Sequence, residues 1–295
     1  MKTARSSSAS RAREGIATHI LVAGNVTLDR APQGGWAPGG PSLYTAQTAR
    51  ALGVSVTLIT GMHPDFDQRA LAGLDVRSTP AADLPRYANT YDDAGNRTQL
   101  LLSEGEPLAL VPHLRPGETP DAVLYAPAYH EFRRAPLRFR ESLTGIALQG
   151  ALRSVTADQR VIPHPEPLRA ASKFARPGWI AFFSDEDTPA PEALARHLAS
   201  QKTLAILTRG HNGATLFELD GTAQHWPALP ATPVDPTGAG DCFASAFMVR
   251  LAETDDLATA MRFALAAGAL AVEHSGIAGL PTRGAIEARM NREAA

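Results

Sequence analysis

From Asp121 onward the chain alternates short, wholly apolar runs with stretches that suit a helix, and few folds tolerate that rhythm. The runs fall at residues 122–126, 179–183 and 204–208, with helix-compatible segments such as 191–201 between them. Strands apolar on both faces belong inside a sheet that helices cover on both sides. A mostly parallel sheet in an α/β architecture is therefore expected, opened by the apolar run 19–24. At 295 residues the chain can bury a large core, and neither a repeat nor a break in composition divides it. Residues 16–290 read as one domain.

The densest chemistry lies at residues 234–243. Gly238 and Gly240 lack a Cβ, so backbone amides can come close to a ligand there. Phe243, Phe247 and Leu251 recur every fourth residue, which starts a helix with an apolar face just past Gly240. A helix N-terminus adds partial positive charge, making the run an anion site with Asp241 in the first turn. A carboxylate so placed repels phosphate unless it has a task, such as taking a proton from a hydroxyl nucleophile. Helix capping in a Gly-rich turn is the plain alternative.

Other residues narrow the function by exclusion. A net charge of −2 gives no basis for wholesale nucleic-acid or membrane binding. Lysine occurs only at Lys2, Lys173 and Lys202, so there is no Gly-Lys-Ser/Thr phosphate loop. Cys242 is the sole cysteine and reads as a small buried hydrophobe, with no disulfide and no cysteine zinc cluster. No apolar run approaches membrane-spanning length, and residues 1–14 lack the apolar segment of a secretory signal. A cytoplasmic location is expected, with residues 1–15 as a disordered tail.

The run Asp235-Pro236-Thr237-Gly238-Ala239-Gly240-Asp241, with Phe243 two residues on, resembles the C-terminal signature of the ribokinase-like (PfkB) family of small-molecule kinases. Gly39-Gly40 ahead of a helix capped by Ser42 or Gly40 resembles the family's N-terminal motif. The resemblance implies a three-layer α/β/α sandwich with a mostly parallel central sheet and a small β lid. It implies ATP and Mg2+ as cofactors and a small polyol, of sugar or inositol type, as acceptor. Gly238, Ala239 and Gly240 would then hold the transferring phosphoryl group, and Asp241 would be the catalytic base.

The same resemblance assigns the acceptor to Asn25, Asp29, Gly39 and Gly40, with Arg153 facing phosphate. It assigns the nucleotide to Ser184, Thr208, Gly210, Gly213, Thr237, Ala267 and His274, and gives Asp187 a place near magnesium. Lid elements are expected at about 31–38, as a stub, and at 85–112, as a hairpin turning at Asp92-Asp93-Ala94-Gly95-Asn96. A homodimer is compatible with this, since in the family the lid often mediates pairing. Tyr44 departs from the family pattern, standing where many members have Asn. A non-catalytic metabolite-binding or regulatory protein on the same fold and a nucleoside acceptor stay open as alternatives. A dehydrogenase is disfavoured, because Gly24-Asn25-Val26 lacks Gly-x-Gly-x-x-Gly spacing.

Overall fold

The computed structural model describes residues 18–31, 34–91, 97–133 and 136–293. The expected tail at 1–15 and the hairpin tip at 92–96 lie outside them. Strand β1 (His19–Ala23) sends alternate side chains to opposite faces: Ile20 and Val22 enter one core, Leu21 and Ala23 the other. The chain continues into β2 (Thr27–Arg30), returns as β3 (Trp36–Gly39) and enters α1 (Pro41–Ala51). Gly40 is the N-cap of α1 and Pro41 its first residue, while Ser42 makes no capping bond.

Then follow β4 (Ser55–Met62), β5 (Asp75–Pro80), β6 (Pro85–Tyr91), β7 (Arg97–Glu104), β8 (Ala122–Tyr125) and β9 (Leu143–Ala147). A small hairpin, β10 (Arg153–Val155) with β11 (Val161–Pro163), leads to the short α2 (Pro167–Ser172). The second half runs β12 (Ile180–Ser184), α3 (Pro191–Ser200), β13 (Leu204–Thr208), β14 (Ala214–Phe217) and β15 (Ala223–Trp226). It closes with α4 (Ala239–Thr254), α5 (Leu257–Ala271) and α6 (Arg283–Glu293).

Nine strands make the central sheet, in the order β15-β14-β13-β12-β9-β8-β1-β4-β5. It is parallel from β13 to β5 and carries β14 and β15 as an antiparallel edge. Phe243, Phe247 and Met261 cover one face, and Leu194, Leu198 and Phe174 the other, which gives the three-layer α/β/α sandwich. Among the described residues no helix is long and apolar enough to cross a membrane.

The smaller sheet corrects one expectation. Segment 31–38 is not a stub, because the strands on either side of its short turn pair from Thr27 with Gly39 to Arg30 with Trp36. With β6 and β7 they form a four-stranded sheet in the order β3-β2-β6-β7. The guanidinium groups of Arg30 and Arg86 lie 5.4 and 4.8 Å from the Trp36 ring centroid, tying β2, β3 and β6 together.

Both sheets hang from the junction at Gly24-Asn25-Val26. A Cβ on Gly24 would overlap the Ala126 carbonyl, so the main sheet closes tightly there. Asn25, expected at the acceptor, pins this junction: its amide donates to Glu106 O (2.8 Å) and accepts from Gly61 N (2.9 Å). Glu131 fixes the same junction. Its buried carboxylate accepts from the amides of Asn25 and Ala128 (2.8 Å each) and Tyr129 (2.9 Å). Burial pushes its pKa up, and these amides oppose the rise.

Candidate active site

The anion loop is built by local turns and one ring. Asp235 accepts from the amide of Thr237 (2.9 Å), and the amides of Val234 and Asp235 donate to Val272 O at the exit of α5 (2.7 and 3.1 Å). Gly238 caps α4 with φ +78°, and a Cβ there would overlap the ring of Tyr44. Only glycine satisfies both the left-handed backbone and that contact. The first amides of α4 have no intrahelical acceptor, and Gly240 is exposed beside open space.

Asp241 stands partly buried in this first turn. Burial raises its pKa to about 7, Arg153 pulls against that rise, and Asp187 adds to it. A carboxylate with a pKa near neutrality can take a proton from a hydroxyl and still be ionised often enough to act. Its neighbour Cys242 is inert by contrast. The thiol is buried, accepts from Thr48 Oγ1 at 3.2 Å and is pushed up to about 12 by burial.

Across the cleft, Asp29 lies within β2 and accepts from Thr27 Oγ1 at 2.8 Å. Gly39 faces it so closely that a Cβ would overlap its carboxylate, and Gly40, at φ +99°, packs on Thr27. Tyr44 joins the halves. It is 8% exposed, and its phenol pKa is raised by burial first and then by Asp235, Asp29 and Asp241. The departure from the family's Asn thus puts an aromatic ring among three carboxylates and under the glycine of the anion loop.

Arg153 is drawn into the same centre. Its guanidinium lies 5.2 Å from the Tyr87 ring centroid, donates to the Tyr87 hydroxyl at 3.2 Å, and acts electrostatically on Asp241 and Asp187. Tyr87, buried in β6, donates to Ala128 O at 2.9 Å. Burial pushes its pKa to about 12, opposed by Arg153. Tyr87 and Glu131 are absent from the sequence-based set. Nothing in their spacing marks them, because only the fold brings β6 and the loop after β8 together.

 Tyr87 and Glu131 stand 44 residues apart in sequence. Pairing of β6 with β2 and the turn after β8 bring them to one junction.

On the opposite side of the anion loop, Thr208 ends β13 with its hydroxyl donating to Phe183 O at 3.3 Å, and Gly210 is exposed with free space around it. Two nucleotide candidates are held by close packing. Gly213 is buried at φ +85°, and a Cβ would overlap Trp226 O, so it serves the turn between β13 and β14. Ala267 is 0% exposed in the core, and the partly exposed small residue beside the loop is Gly268. Thr237 and His274 are exposed.

Ser184 and Asp187 form a capping box. Ser184 Oγ accepts from Glu186 N (3.2 Å), and Asp187 Oδ2 accepts from Ser184 N (2.8 Å). Burial raises the pKa of Asp187, opposed by that amide and by Arg153. The expected place of Asp187 near magnesium thus coincides with a capping role for one of its two oxygens. Among the described residues no group of three His, Cys, Asp or Glu side chains can hold a metal. The donor set fits magnesium carried by nucleotide phosphates and water, and does not fit a resident protein cage.

The layers and strand order define the ribokinase-like fold class. Residues 163–283 match the model of the pfkB family carbohydrate kinases. A stretch of 62 residues is 50% identical to ribokinase from Bacillus subtilis, covering 21% of each chain, so the match spans about a fifth of that relative's length. The solved nucleoside kinase of Methanocaldococcus jannaschii superposes with a TM-score of 0.70 at 20% identity, covering 93% of this chain and 98% of that one. Arabidopsis thaliana ribokinase complexed with ribose and ATP gives 0.69 at 17%, covering 93% and 99%. At those identities the structural likeness carries the fold.

Proposed function

We propose that the chain is a kinase transferring the γ-phosphoryl group of ATP to a hydroxyl of a small polyol of sugar or inositol type. The observation that carries this reading is Asp241, a carboxylate with a pKa of about 7 in the first turn of α4, facing Asp29 across Tyr44. The acceptor hydroxyl oxygen attacks the γ-phosphorus, the bond to the β-phosphate oxygen breaks, ADP leaves, and the hydroxyl proton passes to Asp241. The amides of Gly238 and Gly240 hold the charge that develops on the phosphoryl oxygens, with Ala239 N, which donates to Pro236 O at 3.2 Å, between them. Asp29 accepts from acceptor hydroxyls, and Arg153 adds positive charge beside the transfer path. Magnesium arriving with the nucleotide would shield the phosphates.

The test is incubation with ATP and magnesium against ribose, fructose, myo-inositol and adenosine, reading phosphorylated product. Asp241→Asn is expected to lower turnover by about 10²–10⁴-fold with ATP binding retained. Near-normal turnover in that variant would remove Asp241 from the chemistry. Saturable binding of ATP and a polyol without product would favour the metabolite-sensing alternative.

A further inference from the structure

A second cavity, of about 420 Å³, opens between the loop after β8, the β10–β11 hairpin and α2, and it shares no lining residue with the candidate active site. Its ionisable lining is entirely basic: His130, Arg133, His164, Lys173 and Arg176. Phe132 and Phe174 supply an apolar wall. The nearby Glu166 carboxylate is engaged by Arg169 at 3.0 Å, and Lys173 forms no ion pair with a described residue. Solvated lysines and arginines on an open surface carry little information, but five basic groups converging on a cavity of small-molecule size are a different matter.

Hydrogen bonds fix the tautomers of the two imidazoles. His164 Nδ1 accepts from Glu166 N at 3.0 Å, which leaves the proton on Nε2. His130 Nε2 meets Arg153 O at 2.8 Å, and a carbonyl can only accept, so Nε2 carries the proton. His130 also holds a left-handed backbone at φ +50°, an uncommon conformation for a residue with a side chain.

We propose that this cavity is a binding site for a small phosphorylated metabolite, independent of the kinase reading. The cations and the His164 Nε2–H would take the phosphoryl oxygens, and the phenylalanine wall a short carbon frame. The probe is 3-phosphoglycerate, titrated calorimetrically into the full chain with its nucleotide site filled by a non-hydrolysable ATP analogue. One site is expected, weakened at least tenfold by Lys173→Glu, with the ring resonances of His130 and His164 moving on binding. Lys173 is exposed, so the variant's unchanged melting temperature can be verified first. No binding at 10-fold molar excess in the millimolar range, binding unaltered by Lys173→Glu, or heat without movement of the two histidine signals would each overturn the proposal. Tighter binding of citrate than of 3-phosphoglycerate would overturn the assignment to a phosphoryl group.

Discussion

A carboxyl group with a pKa of about 7 is half protonated at neutral pH, and Asp241 works as a base only when ionised. In the free enzyme kcat/KM should therefore fall tenfold per unit below about pH 7 and level off above it. Arg153 holds that pKa down, so Arg153→Met should move the limb to higher pH; an unmoved limb would separate Arg153 from Asp241. Asp241 was legible because its motif is contiguous in sequence. Tyr87 and Glu131 were not, because each matters only through partners from distant segments. Ala267 and Gly213 show a related difficulty: a small residue can serve a ligand or a close packing contact, and spacing does not separate the two.

Among the elements, the contact between α1 and the cap of α4 sets the tightest constraint. Gly238→Ala adds a Cβ where φ is +78° and where the Tyr44 ring already lies. Tyr44→Ala removes that overlap but leaves the backbone strain of about 1 kcal/mol. In a double-mutant cycle followed by denaturant unfolding, the two losses should sum to about 1–2 kcal/mol more than the loss of the double variant. Strict additivity would show that the loop does not rest on the ring. Strands β1, β8, β12 and β13 were readable as apolar runs, being buried on both faces. Exposed β5, Asp75–Pro80, carries no such pattern and owes its conformation to pairing with β4.

At the scale of the whole molecule, the small sheet stands apart from the nine-stranded one and meets it at the Gly24 to Val26 junction. Trp36→Ala removes the ring on which Arg30 and Arg86 stack, along with its packing at the edge of the core. It should raise the acceptor KM about fivefold or more, leave the ATP KM within about twofold, and increase the share of ATP lost to water. Equal changes in both KM values would show that the sheet does not cover the acceptor. The parallel core was legible from its rhythm, whereas the size of the small sheet was not, because its strands flank a turn too short to announce them.

Asp29, Gly39 and Tyr87 all belong to that small sheet, while Gly238, Gly240 and Asp241 belong to α4 and its cap. On the proposed function, recognition of the acceptor and the phosphoryl chemistry fall on different pieces of chain. A lineage built on this plan can exchange the first like a cassette, acquiring a new substrate while the transfer machinery stays as it was.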